Sequence, residues 1–328
     1  MFITALALLI DWATLTSQFA ALEKAAPDDA RRKAIKLVAR NTAHVAALAA
    51  LPRLEALART EPDNLLRCDV ILAVGQVAKR HQKPAPDVLF EVLTATDCDC
   101  VPTAAAMALD SLKPLPPGST AKLLKVATTG NADQRDLGYF LLATHAPKDP
   151  AALKVLRDAA SVPDVLKRHN ARCALFTATN KIADLYPHIM DVYVLRGETP
   201  YPGDDAPENV KRDNMTLNLI VLGGATKLAQ WTQDRPAELQ DEMLARLQLS
   251  SPKVRLEVLK RLEAYADALA GPEPKAEPGF DYDPKRQRAG MKAILTDPTM
   301  RLALKTAAEK DTSPAVRELA KDVIRKSP

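Results

Sequence analysis

Apolar residues recur along this chain at intervals of three and four positions, the spacing that gathers them on one face of an α-helix. No stretch alternates apolar and polar residues for long, as a half-buried strand does. The pattern therefore predicts helices throughout and no sheet. The clearest apolar faces are Leu66, Val70, Ala73, Val74 and Val77; Val254, Val258, Leu262, Tyr265 and Leu269; and Val316, Leu319, Ala320 and Val323.

Proline marks the points where several of these helices begin. A proline that follows Asp or Ser is typical of a helix start. The Asp or Ser side chain caps the free N–H groups of the first turn, and proline fits the first helical position, which needs no N–H partner. Such pairs are Asp149-Pro150, Ser251-Pro252, Asp283-Pro284, Asp297-Pro298 and Ser313-Pro314. The segments between prolines run roughly 10 to 20 residues, the length of helices.

A short motif returns along the chain: an apolar or small residue, an Arg, and further small or apolar residues spaced by three. Its clearest copies contain Arg67, Arg255 and Arg317, and weaker copies contain Arg32, Arg135, Arg172 and Arg212. A helix pair of about 37 residues cannot bury its apolar face alone, whereas stacked pairs share a continuous core. The repeat predicts an all-α fold, an α-α superhelix of about eight helix pairs over residues 28–328.

These copies resemble the HEAT repeat family, in particular the short HEAT-like repeats first noted in phycobilisome lyases. The resemblance covers most of residues 28–328, and each copy is degenerate. It implies that the recurring arginine pairs with an Asp at the preceding turn and holds neighbouring repeats in register. The arginines given this structural role are Arg67, Arg135, Arg172, Arg255 and Arg317.

The aspartates that such a ladder needs are present in part. Asp63, Asp133 and Asp311 precede Arg67, Arg135 and Arg317, whereas Ser250 and Ser251 stand before Arg255. The ladder is therefore expected to be incomplete at Arg255.

Three segments stand outside the repeat. Residues 1–27 are expected to form an N-terminal capping helix, with a signal segment as the alternative. The apolar start Met1–Ile10 has no Lys or Arg before it and is followed at once by Asp11, which is unlike a signal peptide. We therefore expect a cytoplasmic protein; the alternative is export or anchoring through residues 1–20. Segments 197–207 and 271–284 are rich in Pro, Gly and acidic residues, which predicts exposed loop insertions.

The charge distribution argues against a strong nucleic-acid binder. The 328 residues carry a net charge of +4, and 4% of them are aromatic. Neither a basic arm nor an acidic tail stands out along the chain. Nucleic-acid binding through basic helix ends nevertheless remains an alternative, since HEAT-like DNA glycosylases bind DNA in that way. The basic groups are Arg31-Arg32-Lys33, Lys79-Arg80, Lys260-Arg261 and Lys321 with Arg325-Lys326.

The sequence lacks the common catalytic motifs, among them the nucleophile elbow, the His-Glu-x-x-His helix and the phosphate-binding loop. Leu219–Lys227 (LIVLGGATK) imitates a strand that enters a nucleotide loop, but a helix interrupted or ended at Gly223-Gly224 is the ordinary explanation. His169 shares a helical stripe with Leu166, Cys173 and Phe176, which favours a partly buried structural role. We therefore predict no catalytic residue, no cofactor and no metal, and hence no enzyme.

The four cysteines match no zinc or disulfide framework. Cys98 and Cys100 are close in sequence, but residues two positions apart rarely bridge to each other. Small buried or half-buried thiols in a reducing compartment are the expected state.

Exposed aromatic residues beside charged ones are the best candidates for partner contacts. The set comprises Phe280, Tyr282, Lys285, Arg286 and Arg288, together with Tyr201 and Trp231; the alternative is that these aromatics tuck back onto the solenoid. The sequence predicts a non-enzymatic protein-protein interaction scaffold built on HEAT-like repeats. A nucleic-acid-binding protein, or a chromophore-lyase-type assembly factor suggested by the resemblance alone, are the alternatives.

Overall fold

Helices dominate the part of the chain that the structure describes. The structure, a computed structural model, describes residues 33, 35, 45–96, 98–203, 205–272 and 283–328, and within them it contains no strand. The prediction of an all-α protein is confirmed. The HEAT-like superhelix stays a prediction. The predicted capping or signal segment 1–27 lies outside the described residues.

The chain divides into two compact units, Met1–Ala159 and Ala160–Pro328. The helices are numbered in chain order, starting with the helix that begins at Val45. The first helices are α1 (Val45–Ala49), α2 (Leu51–Thr60), α3 (Asn64–Arg80), α4 (Asp87–Val92), α5 (Cys100–Asp110), α6 (Ser119–Thr129), α7 (Ala132–His145) and α8 (Pro150–Ala160). They are followed by α9 (His169–Thr179), α10 (Ile182–Glu198), α11 (Glu208–Asp234), α12 (Pro236–Leu249), α13 (Pro252–Ala270), α14 (Pro284–Thr296), α15 (Pro298–Lys310) and α16 (Pro314–Lys326).

All five helix starts predicted from Asp-Pro and Ser-Pro pairs are confirmed. Helices α8, α13, α14, α15 and α16 begin at the proline of each pair. The preceding Asp or Ser accepts hydrogen bonds from backbone N–H groups of the first turn. The sequence signal works here because the cap satisfies N–H groups that the helix itself leaves without partners.

The N-terminal unit contains three pairs of successive helices, α2/α3, α4/α5 and α6/α7. The second helices of the pairs lie side by side, α3 against α5 and α5 against α7, and α2 also contacts α4. Small residues permit this close approach, because a Cβ atom at Gly75 would lie 2.7 Å from the Cβ of Ala108. Gly138 meets the α6 backbone at Ala127 just as closely.

The C-terminal unit repeats this scheme with two additional helices. Its pairs are α9/α10, α12/α13 and α15/α16, and the second helices again lie side by side, α10 against α13 and α13 against α16. Helices α11 and α14 follow the first and second pairs and pack on each other. A Cβ atom at Gly290 of α14 would overlap the backbone carbonyl of Thr232 in α11. The interval between pairs is therefore longer here than the repeat motif predicts.

The two predicted insertions lie at the starts of these additional helices. Of segment 197–207, residues 197 and 198 belong to α10, and the rest leads to α11. Of segment 271–284, residues 273–282 lie outside the described residues, and Pro284 is the first residue of α14.

Four of the five repeat arginines occupy equivalent positions in their helix pairs and make the same kind of contact. Each follows the N-cap residue of a second helix by four positions. Its guanidinium donates to a backbone carbonyl at the end of the preceding helix: Arg67 to Ala58, Arg135 to Gly130, Arg255 to Ser250 and Arg317 to Asp311. The last carbonyls of a helix lack intrahelical partners. The arginine therefore joins the two helices of its pair.

Arg172 differs from the other four. It lies in α9, the first helix of its pair, and its guanidinium reaches forward to the carbonyl of Asp184 in α10 at 3.4 Å. The motif copy at Arg212 also lies outside a second helix, in the first turns of α11.

Arg255, for which the sequence offers no preceding Asp, pairs with Asp311. Two nitrogen–oxygen distances of 2.8 Å join the guanidinium to the carboxylate, and the side chains are only 13% and 8% exposed. Asp311 lies in the turn between α15 and α16, so the carboxylate comes from the following helix pair. Burial alone raises the pKa of Asp311, but hydrogen bonds from Arg255 and the Ser313 amide lower it below its ordinary value.

Replacing Asp311 by Asn should destabilise the protein by roughly 3 kcal/mol, since the largely buried guanidinium of Arg255 loses its counterion. Urea unfolding at pH 7 measures this loss. Because the folded pKa of Asp311 is depressed, its contribution is complete above the ordinary Asp pKa of about 4 and disappears as the pH falls further.

Asp322→Asn is the matched control. Asp322 pairs with Arg325 at 2.7 Å, but both side chains are well exposed, so the loss should stay within about 0.5 kcal/mol. Equal stabilities for the two variants would contradict the assigned role of Asp311.

Candidate functional site

A cavity of about 420 Å³ lies within the C-terminal unit, between helices α9, α10 and α11. Cavities of roughly 300 to 1,000 Å³ hold small organic molecules in proteins. Most of the lining is apolar, and none of the lining residues is acidic. They are Leu166, His169, Asn170, Cys173, Phe176, Thr177, Leu185, His188, Ile189, Thr216, Leu219, Ile220, Gly223, Gly224 and Lys227.

The two adjacent glycines of α11 shape one wall of this cavity. A Cβ atom at Gly224 would lie 3.1 Å from Cγ2 of Ile189, so the bare backbone packs closely on α10. At Gly223 a Cβ atom would meet nothing within 4 Å. Gly224 therefore brings the helices together, while Gly223 leaves space open.

The prediction that a helix is interrupted or ended at Gly223-Gly224 is wrong. Helix α11 runs from Glu208 to Asp234 through both glycines. Each glycine weakens a helix by roughly 1 kcal/mol relative to alanine, and packing of α11 on α10 and α14 outweighs this cost. Leu219–Lys227 accordingly forms part of a helix and not a strand leading to a nucleotide loop.

A chain of hydrogen-bonding side chains forms the polar side of the cavity. Cys173 Sγ lies 3.6 Å from Nε2 of His169, and Nδ1 of His169 lies 3.0 Å from Nε2 of His188. On the far side, Arg168 donates from Nε to Nδ1 of His188 at 3.4 Å. A second nitrogen of Arg168 donates to Asp191 at 2.6 Å. The chain thus runs from Asp191 to the Cys173 thiol.

The arginine fixes the direction of every bond in this chain. An arginine N–H can only donate, so Nδ1 of His188 accepts and its proton is on Nε2. That proton is donated to Nδ1 of His169, whose own proton must then be on Nε2, facing Cys173. His169 therefore presents an N–H donor, and no free lone pair, to the thiol.

Burial favours the uncharged form of three groups in this chain, the two imidazoles and the Cys173 thiol. It lowers the pKa of His169 and, with neighbouring His169, Arg168 and Arg172, lowers the pKa of His188 to about 3. It also raises the pKa of Cys173 to about 11, although Lys227 acts in the opposite direction. A protonated thiol beside a donating imidazole is not a nucleophile with its general base.

Lys227 is the cation of the cavity wall. Its Nζ donates to Oε1 of Gln230 at 3.3 Å and lies 5.7 Å from the centre of the Phe176 ring. None of the lining residues is acidic, so no carboxylate among them pairs with this positive charge.

The outer face of α11 is apolar where it borders the cavity. Met215, Leu219 and Leu222, here called the α11 stripe, are 64%, 58% and 65% exposed. Their spacing of four and three residues places them on one face of the helix. A run of large exposed apolar side chains is uncommon on a monomeric surface and typical of a binding site.

The predicted contact residues fall into different environments. Tyr201 is 75% exposed, and the Arg196 guanidinium stacks 3.8 Å from its ring centre. Lys285 is exposed at the start of α14. Phe280 and Tyr282 lie outside the described residues.

Trp231 is buried, which corrects its prediction as an exposed partner contact, whereas Arg286 and Arg288 make contacts within the protein and their partner role stays a prediction. Trp231 is only 2% exposed and packs edge-on against the Phe176 ring, because the apolar face of α11 turns it inward. Arg286 pairs with Asp234 at 3.1 Å. Arg288 donates to the last carbonyls of α13, among them Leu269.

Most of the basic groups near the chain's end are also paired internally. Lys260, Lys321 and Arg325 each contact an acidic residue three positions away, and Lys326 contacts Glu263 at 2.7 Å. Arg261 lies 4.0 Å from the centre of the Tyr193 ring. A phosphate backbone would have to compete with these contacts for the same cations. Arg31 and Arg32 lie outside the described residues.

Cys98 and Cys100 form a disulfide, so the expectation that all cysteines are thiols is wrong. The chain turns into α5 at this point, and the Cα atoms are 5.4 Å apart, within the range that a disulfide can span. Cys68 and Cys173 are free. No group of three or more His, Cys, Asp or Glu side chains suited to a metal ion occurs among the described residues.

Neither a protein-family model nor a curated protein matches this chain. Within the part of the chain that the structure describes, none of the helices combines the length and apolarity needed to cross a membrane.

Gly223→Ala should stabilise the protein by about 0.5 to 1 kcal/mol, because a methyl group in open space adds helix propensity without a clash. Gly224→Ala should gain less or lose stability, because its methyl group presses on Ile189. Urea unfolding measures the free energy of unfolding of both variants, and a gain at Gly223 is expected only if the space beside it is open. A larger gain at Gly224 than at Gly223 would refute the packing described.

His188 should make the protein less stable as the pH is lowered. The unfolded imidazole takes up a proton near pH 6.5, whereas the folded one resists until about pH 3. Between these values the free energy of unfolding should fall with decreasing pH, by up to about 1.4 kcal/mol per unit from this group.

Urea unfolding at several pH values, compared between the native chain and His188→Gln, isolates this contribution. The variant should show a shallower slope between about pH 6.5 and pH 5. A native imidazole that titrates near its ordinary pKa by NMR would contradict the buried, neutral state of His188.

Proposed function

We propose that this protein is a non-enzymatic interaction module, built on HEAT-like helical repeats, that binds a protein partner on the α11 stripe. The observation that carries the proposal is the exposure of Met215, Leu219 and Leu222 on a single helical face. A stripe with this spacing is complementary to the apolar face of another amphipathic helix. An amphipathic helix of the partner is therefore the proposed occupant.

The charges along α11 favour an acidic partner. Exposed Arg212 lies about one turn before Met215, and Lys227 follows Leu222 by five residues. Between these cations, Asp213 is the only acidic residue of the helix. A partner helix with carboxylates flanking its apolar face would pair with both ends of the stripe, since complementary charges orient and select partners.

The state of the Cys173–His169 pair supports a binding role over catalysis. The thiol is protonated and the imidazole donates to it, so no activated nucleophile is present in the cavity beside the stripe. The paired charges of the C-terminal helices likewise favour a protein partner over nucleic acid.

Photo-crosslinking tests this proposal directly. A photoreactive amino acid replaces Leu222 in one variant and Leu65 in a control. Leu65 is equally exposed, at 65%, but lies in α3 of the N-terminal unit. In a cell lysate, position 222 should capture a protein segment that position 65 does not, and nuclease treatment after crosslinking should leave the captured species unchanged. The captured segment should be helical and acidic at its flanks.

A synthetic peptide of that segment should then bind the purified native protein and lose about tenfold or more in affinity for Met215→Ser/Leu222→Ser. The control variant Leu65→Ser should bind as the native protein does. Capture of nucleic acid, capture of a second copy of the chain, or equal peptide affinity in all variants would each overturn the proposal.

A further inference from the structure

We propose that the cavity between α9, α10 and α11 binds a small apolar molecule that carries one carboxylate, such as a medium-chain fatty acid. This site goes beyond the proposed function, because it uses the interior of the cavity and does not require a protein on the α11 stripe. Size, lining, charge and hydrogen-bonding direction each contribute to the assignment.

The apolar part of the ligand is indicated by the walls of the cavity. Phe176, Leu185, Ile189 and Ile220 enclose about 420 Å³, enough for a chain of roughly ten carbons with room to spare. Removing a methylene group from water improves binding about fourfold. Affinity should therefore rise with chain length until the cavity is filled.

The negative charge of the ligand is indicated by Lys227. This residue is the only Lys or Arg among the lining residues, and none of them is Asp or Glu. Its ammonium group donates to the neutral amide of Gln230, so a ligand carboxylate would supply the missing counterion. A single cation balances a monocarboxylate better than a doubly charged phosphate.

The orientation of His169 supplies a second donor for the same carboxylate. Its Nε2–H faces Cys173 Sγ at 3.6 Å, and a thiol sulfur is a weak acceptor. A carboxylate oxygen is a stronger acceptor and would replace the sulfur as the partner. Because Arg168 and His188 fix the proton on this nitrogen, His169 is prepared to donate before the ligand arrives.

Isothermal titration with decanoate tests the proposal, and decanol is the uncharged control ligand. The native protein should bind decanoate with a Kd of about 0.1 mM or lower. Lys227→Met should weaken decanoate about tenfold or more and change the affinity for decanol by less than about twofold. A loss of affinity for decanoate without a loss for decanol indicates a lost charge contact, because a general disturbance of the helix would weaken the binding of both ligands.

Gly223→Phe tests the location of the site. Its ring would fill the open space at the cavity wall, so decanoate binding should disappear. Gly197→Phe is the matched variant: a Cβ atom there also meets nothing within 4 Å, but Gly197 lies outside the cavity lining, so this variant should bind decanoate as the native protein does. Circular dichroism and urea unfolding establish that both variants fold; if the Gly223→Phe variant does not, the Lys227→Met comparison decides alone.

Absence of decanoate binding to the native protein at about 1 mM would overturn the proposal. Equal affinities for decanoate in the native protein and in Lys227→Met would also overturn it, and so would unchanged binding in a folded Gly223→Phe variant. Crosslinking from position 222 in a chain that retains Lys227 is read independently of decanoate binding, so its outcome distinguishes failure of this site from failure of the proposed function.

Discussion

The contact between an arginine and the end of the preceding helix is the interaction on which this fold depends most. A helix that stops inside a packed unit leaves carbonyl groups without partners, and leaving them unsatisfied is costly. The chain solves this problem in the same way at Arg67, Arg135, Arg255 and Arg317. Since each arginine belongs to the next helix, the same bonds also fix the turn between the helices of a pair.

The candidate site exists because the C-terminal unit adds α11 to this scheme. Helix α11 packs on α10 through the bare backbone of Gly224, while Gly223 leaves the neighbouring space empty. The imidazole and thiol side chains of that space are contributed by α9 and α10, and its lysine, Lys227, is contributed by α11 itself. Helix α11 thus covers one side of the α9/α10 pair, and the space left between them is a cavity with Lys227 in its wall.

The sequence predicts the helices well and the site poorly, for identifiable physical reasons. Helix starts depend on local chemistry, so Ser251-Pro252 and Asp297-Pro298 are readable directly from adjacent residues. The pairing of Arg255 with Asp311 spans 56 positions, and the contact of His169 with His188 depends on how α9 and α10 pack. The inward direction of Trp231 likewise depends on which face of α11 is covered, which single-sequence periodicity leaves open.

The hydrogen bonds of the Arg168–His188–His169 chain all point in one direction, from the arginine toward the cavity. Reversing the chain would require an arginine nitrogen to accept a hydrogen bond, which it cannot do. The dipoles of the two imidazoles are therefore locked in one sense, with the positive end toward the cavity. Across the pH range in which both rings stay neutral, any molecule placed in the cavity would meet a hydrogen-bond donor at this nitrogen, which suits an acceptor group and not a donor group.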